Sequence, residues 1–256
     1  MGTHASTLEQ RLEKQRLYPQ KSDRICACMF GYPIMFSKYF GILLGSILDP
    51  NKLGSHGYRR YGKEHNGITY TCEGGFIDSS HFRAGMDWVA YLFLLLEDPD
   101  VTQKEIQIHP EGGKTRLFIK KPTHLLSFDD RIWLAQRIAY ERLTWHEIMS
   151  WYYHAPQRFF PENQSSFSPE DNFSNLAGTY AGAEVIRAMQ KNESLTYNKA
   201  ADLVFREFMK KFRIVSSKKE TKKAYAQVDR KFYTPNSGSG QTWFDSSIEL
   251  LDQRYC

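Results

Sequence analysis

The residues with the most chemical capacity lie in Trp145-His146-Glu147-Ile148-Met149-Ser150-Trp151-Tyr152-Tyr153-His154. An imidazole and a carboxylate side by side in an apolar helical run are costly to bury unless they are paired. They are therefore either a satisfied structural pair or a working site. The zinc-protease pattern requires a second histidine four residues after the first, and Ser150 stands there instead. At ~100° per residue, Glu147, Ser150 and His154 share one stripe of a helix, with His146 at its border.

A second group is Gly74-Gly75-Phe76-Ile77-Asp78-Ser79-Ser80-His81-Phe82-Arg83, followed by Asp87. His81 falls at a helix start. There the helix dipole disfavours the imidazolium and leaves a neutral ring able to bind a metal or accept a proton. Paired glycines let backbone come close to a ligand. Asp78 reads most simply as a helix cap. The third group, Ser168-Pro169-Glu170-Asp171, is also a helix start: a capping serine, proline at the first helical position, and acids that could add carboxylates to a site but read more simply as serving the cap and the dipole.

Together these groups give a specific expectation. His81 and His146 approach each other, Asp87 or His154 completes the ligands of a zinc ion, and Glu147 acts as general base on a bound water. Cys72, at a strand end before Gly-Gly, is a second candidate: a thiol nucleophile with His81 or His146 as its base. A buried structural thiol or a Cys28–Cys72 disulfide is the plainer reading of the same residue. Cys26-Ala27-Cys28 with Cys72 has no zinc-ribbon spacing.

The elements that must position these groups follow from periodicity and punctuation. Ile68-Thr69-Tyr70-Thr71-Cys72 has strand composition, ended by Glu73-Gly74-Gly75. A helix runs from about His81 to Glu97, where Pro99 stops it. Ile106 and Ile108 alternate on one strand and Leu117 and Ile119 on another, with Pro110-Glu111-Gly112-Gly113 turning between them. A long helix covers roughly Asp129 to Tyr153, apolar nearly all round and so expected at the centre of the domain. Two more helices span Ser168 to about Lys191 and Thr196 to Phe212. The expected fold is therefore a helix-dominated α+β domain with a central long helix and small antiparallel β ribbons. Residues 1–24 are polar and read as an N-terminal arm, and residues 25–256 as a single globular domain.

Bulk properties bound the function class. Of the 256 residues, 41% are hydrophobic and 25% charged, which argues against disorder. A net charge of +5 permits contact with an anionic surface but does not call for a nucleic acid. The tract from Lys210 to Lys231 carries much of the excess. It reads as a solvated helix face or as a contact for lipid headgroups. The apolar runs Tyr39–Leu48 and Trp88–Leu96 are too short to span a bilayer, which takes ~20 residues. The opening Met1-Gly2-Thr3-His4-Ala5-Ser6-Thr7 shows no secretory signal and reads as a start joined to a trimmed chain.

Several stretches resemble a bacterial domain-of-unknown-function family, number 4056, whose members are mostly predicted envelope lipoproteins. They are Cys28-Met29-Phe30-Gly31, Asn66 through Asp78, His81-Phe82-Arg83, Asp87-Trp88, Trp145-His146-Glu147-Ile148, Ser150-Trp151-Tyr152, Ser166 through Asp171, and Ser174-Asn175. The stretch after residue 190 and the Cys26-Ala27-Cys28 spelling depart from the family pattern. The resemblance implies a bacterial cell-envelope location, periplasmic or lipid-anchored. It implies no reaction. Three readings are open: a metal-dependent hydrolase acting on an envelope component, a Cys72-based thiol hydrolase, and a non-catalytic envelope structural or interaction protein.

Overall fold

A computed structural model describes residues 7–19, 47–57, 64–97, 103–107, 116–120, 126–154 and 169–228. Its elements are helix α1 (Leu8–Glu13), strands β1 (Ile68–Thr71) and β2 (Gly75–Asp78), helix α2 (Ser79–Glu97), strands β3 (Gln103–Gln107) and β4 (Arg116–Lys120), and helices α3 (Phe128–His154), α4 (Pro169–Lys191), α5 (Tyr197–Lys211) and α6 (Lys218–Val228). The strands form two separate antiparallel pairs, β1 with β2 and β3 with β4. The helix-dominated α+β class expected from the sequence is the one observed. Ile108 and the turn at residues 110–113 lie outside the described residues.

Helix α2 is the axis of the molecule. Phe82, Met86, Val89, Ala90, Leu92 and Phe93 are all buried, and no side of its middle turns is open. The longer α3 packs against it with one stripe, Ile132, Ala135, Ala139, Leu143 and Glu147, at the helical spacing of three and four. Its other side carries the exposed Trp133 and Trp145. The centre expected for α3 is therefore held by α2. Counting tryptophans as core made α3 look apolar all round. Ser127 starts α3 by accepting from the Asp130 amide at 3.2 Å.

Helix α4 lies against α2 with almost no spacer between the backbones. A Cβ on Gly178 would sit 2.3 Å from the Phe82 carbonyl oxygen, one on Gly85 2.8 Å from the Gly178 carbonyl carbon, and one on Gly182 2.8 Å from Val89. Only glycine fits at that distance. The pairing of Phe82 with Gly178 and of Val89 with Gly182 makes the two helices parallel, so their N-termini meet at one end. The C-terminal half of α3 reaches the same end: Phe93, late in α2, meets Phe128 at the start of α3 edge to face, and His81 at the start of α2 lies beside Glu147 late in α3, which makes α3 antiparallel to α2.

Two expectations change. The first helix is not a free arm: Leu8, Leu12 and Leu17 are buried in the main core, and Arg11 donates to the carbonyls of Met189, Asn192 and Leu195. Burying a leucine side chain is worth ~1.5–3 kcal/mol, enough to dock a six-residue helix that could not persist alone. Strand β2 is the other addition. The Gly74-Gly75 that reads as a strand end instead sits in a tight hairpin, with Gly75 at φ +68° and Thr71 paired to it.

Candidate active site at the meeting of three helix ends

The hairpin β1–β2 delivers the chain into α2 with no intervening loop, so Asp78 closes the strand and caps the helix. Its Oδ1 accepts from the Ser80 amide at 2.7 Å, the Ser80 hydroxyl at 2.7 Å and the His81 amide at 3.4 Å. The Asp78 amide donates to Ser174 Oγ of α4 at 2.9 Å. His81 then projects between α3 and α4.

On α4 the facing residues are Asp171, Ser174 and Asn175, continued by Gly178. Their spacing of three and four keeps them on one face, and the glycine contact brings that face close. Asn175 Oδ1 lies 3.0 Å from His81 Nδ1, while Asn175 Nδ2 donates to Glu147 Oε1 at 3.2 Å. Glu147 Oε1 is itself 3.7 Å from His81 Nδ1, and Asp171 Oδ1 is 3.6 Å from His81 Nε2. The His81 and His146 rings lie 5.9 Å apart, centroid to centroid. Two sets of donor atoms each fall within 4.8 Å of one another: His81, His146 and Glu147, and Asp78, His81 and Asp171. All these side chains are buried except that of His146, which is half-buried.

The electrostatics follow from this crowding. Burial by itself pushes the His81 imidazole down. The charges of Asp171, Glu147 and Asp78 and the bond to Asn175 outweigh it and lift the pKa to about 9. The neutral ring expected from the helix dipole alone is therefore disfavoured. The dipole is weaker than three carboxylates. Asp171 goes the other way for an acid. Burial raises its carboxyl well above the usual range, with Glu147, Glu170 and Asp78 adding to the rise and His81 opposing it. Its Oδ2 is buried and has no hydrogen-bond partner among the described residues.

The expected ligands divide. His81 and His146 come together, with Glu147 beside them. Asp87 does not join: six residues after His81 it lies ~120° round the helix. There its Oδ1 meets His56 Nε2 at 3.1 Å and accepts from the Tyr197 hydroxyl. His154 is in the last turn of α3, and its side chain lies outside the described residues. The sequence offered Asp171 as a possible site carboxylate but favoured the cap and the dipole, and it did not assign Asn175. The signal was available as the spacing Asp171, Ser174, Asn175, Gly178, Gly182, a polar stripe running into a glycine stripe on one helix face. Cys72 is disulfide-bonded, so it offers no thiolate for attack, and the other three cysteines lie outside the described residues.

No curated protein and no solved structure matches the chain. A family match runs over residues 15–243, past residue 190 and through the whole of the basic tract, so the departure expected there does not interrupt it. The converging residues of β2, α2, α3 and α4 all fall inside it, and the chain belongs to the family described as "Protein of unknown function (DUF4056)".

Proposed function

We propose that this protein is a hydrolase that holds one divalent metal ion, zinc by preference, in the cluster centred on His81. The observation that carries the reading is an imbalance. Three buried carboxylates, Asp78, Glu147 and Asp171, surround one buried imidazole, and one oxygen of Asp171 has no hydrogen-bond partner among the described residues. Buried carboxylates need a counter-charge. A bound proton is one way to supply it, and a divalent ion coordinated by imidazole and carboxylate is another. Such an ion lowers the pKa of a bound water to ~7 and makes it a nucleophile at neutral pH. Removal of the water's proton falls to α3: to His146, whose half-buried ring can exchange with solvent, or, where the ion lies on the Nδ1 side of His81, to Glu147, the carboxylate expected from sequence.

The disulfide at Cys72 supports work in an oxidising compartment, in keeping with the envelope location that the family resemblance implies. No helix among the described residues is long and apolar enough to cross a membrane. The competing reading is a non-catalytic envelope protein in which His81, as an imidazolium, ties three elements together. The near-complete burial of His81, at 4% exposure, favours it.

The test is elemental analysis of protein purified without chelator, beside a His81→Gln variant. It is paired with hydrolysis of p-nitrophenyl acetate, p-nitrophenyl phosphate and bis-p-nitrophenyl phosphate. One ion per chain, lost in the variant, with an activity removed by chelator and restored by zinc, supports the hydrolase. Metal-free protein that takes up no zinc leaves the non-catalytic network.

A further inference from the structure

The two donor sets share His81, with Glu147 3.7 Å from its Nδ1 and Asp171 3.6 Å from its Nε2, and the hydrogen bonds choose between the two sides. Resting on the metal reading above, we propose that the ion sits on the Nε2 side, held by Asp78, His81 Nε2 and Asp171, and that Asn175 and Glu147 are positioning residues that orient the imidazole from behind.

The choice starts at Asn175. Its Nδ2 donates to Glu147 Oε1 at 3.2 Å, which turns its Oδ1 toward His81 Nδ1 at 3.0 Å. A carbonyl oxygen only accepts, so Nδ1 carries the hydrogen. In the neutral ring the lone pair then lies on Nε2. Nε2 faces Asp171, whose nearer oxygen is 3.6 Å away. Two ligands of one zinc at ~2.0–2.1 Å stand ~3.3 Å apart in tetrahedral geometry, so a small closure brings these atoms to bonding separation. A metal-bound histidine ordinarily donates its other ring hydrogen to a fixed acceptor, and Asn175 backed by Glu147 supplies that acceptor here.

The second observation is independent of the ring. Asp171 is 2% exposed, and its Oδ2 has no hydrogen-bond partner among the described residues. A buried carboxylate oxygen without a donor is expensive unless a cation or proton takes it. The Nδ1 side has no such vacant atom on Asn175 or Glu147 Oε1. An ion there would have to break the Asn175–His81 and Asn175–Glu147 contacts to reach its ligands. Asp78 and Asp171 with one neutral imidazole balance a dication. His146 is left outside the coordination sphere, at the half-buried edge where a proton can leave.

The experiment is titration of the chelator-stripped full chain with zinc sulfate, by calorimetry and by elemental analysis after dialysis, on wild type, Asp171→Asn and His146→Ala. Asp171→Asn keeps shape and removes the ligand charge. Asp78→Asn serves as a second variant, and circular dichroism verifies the fold of each. One zinc per wild-type chain is expected. Asp171→Asn should weaken it by more than the ~10–100-fold cost of losing an outer-shell partner, and His146→Ala by less than that range. Zinc lost in His146→Ala and kept in Asp171→Asn would overturn the assignment and move the ion to the Nδ1 side. A wild type that binds no zinc overturns both this site and the metal reading. Zinc bound as expected without hydrolysis of any ester counts against the hydrolase alone and still supports the site.

Discussion

Helix α2 carries two buried polar clusters, and they are built on different principles. Around Asp87 acids and bases alternate: His56 sits between Asp87 and Glu64, although its Nδ1, 3.7 Å from Glu64 Oε1, has no hydrogen-bond partner among the described residues. His56 Nε2 and the Tyr197 hydroxyl meet its carboxylate, and the neighbouring Arg83 donates to the carbonyls of His65 and Leu53 and to Asn66 Oδ1. Cation and anion are comparable in number, and the whole fixes the loop at residues 47–57 and the start of α5 against α2. Around His81, by contrast, three buried carboxylates meet one buried imidazole and the half-buried His146 among the described residues, and Asp171 Oδ2 has no hydrogen-bond partner among them. A balanced buried network holds elements together. An unbalanced one is a place for something to bind.

The largest effect should come from breaking the balanced cluster. Asp87→Ala leaves His56 and Tyr197 facing a void and should cost about 3–5 kcal/mol, read as a lowered denaturant midpoint. Asp171→Asn, in the unbalanced cluster, should cost metal-free protein much less, because relief of a buried carboxylate offsets the lost attraction to His81. If both variants destabilise alike, the contrast between the clusters fails.

Next comes the helix contact that brings α4 to the site. Gly178→Ala puts a methyl group 2.3 Å from the Phe82 carbonyl oxygen and must push α2 and α4 apart. A loss of about 1–3 kcal/mol in thermal unfolding is expected, together with weakened zinc binding, since Asp171 and Asn175 move with the helix. Lost stability with zinc binding intact would separate the glycine contact from the site.

The sequence made the helices legible because their starts are local. Proline and acids at Pro169-Glu170-Asp171 and the cap at Asp78 mark them within one turn. His81, His146 and Glu147 were legible for the same reason: histidines and acids stand out in apolar runs. The partners were not. Asp87 looked as suitable as Asp171, and only the angle around α2 and the closeness of α4 separate them. Those depend on Gly85, Gly178 and Gly182 meeting across the chain, a contact with no mark in any local window. The docking of α1 was hidden likewise. Its two leucines, with Leu17 just after it, are sparse, and their acceptor, the main core around α2 and the end of α4, lies far along the chain.

The pH dependence of the metal-free protein is a smaller effect that probes the unbalanced cluster directly. His81 has its folded pKa raised to about 9 from the ordinary 6.5. Its contribution is fully present below about pH 6.5 and is lost as pH rises through about 9. Asp171, raised above the ordinary carboxyl value, likewise binds more protons folded than unfolded and adds in the same direction. The melting temperature should therefore fall by roughly 5 °C or more between pH 6.5 and 9, and the fall should shrink when zinc replaces the proton. A flat profile in metal-free protein would remove the electrostatic case for the cluster.

The smallest effect concerns the basic tract. Lys219, Lys222 and Lys223 are exposed on α6, while Thr221 and Ala224 face inward and Thr221 accepts from the Tyr70 amide at 3.2 Å. Replacing the three lysines with glutamine should change stability by no more than ~0.5 kcal/mol. If the face contacts anionic headgroups, sedimentation with phosphatidylglycerol vesicles should fall steeply between 50 and 200 mM salt and vanish in the triple variant. Salt-insensitive binding, or none, makes the tract a solvated face.

The most direct measurement is a crystal structure of protein grown with zinc, with anomalous data collected on both sides of the zinc absorption edge. One strong anomalous peak is expected within ~2.0–2.2 Å of His81 Nε2 and of carboxylate oxygens from Asp78 and Asp171, with Asn175 still against Nδ1. A peak between His81 Nδ1, His146 and Glu147, or no peak anywhere in the cluster, would contradict it.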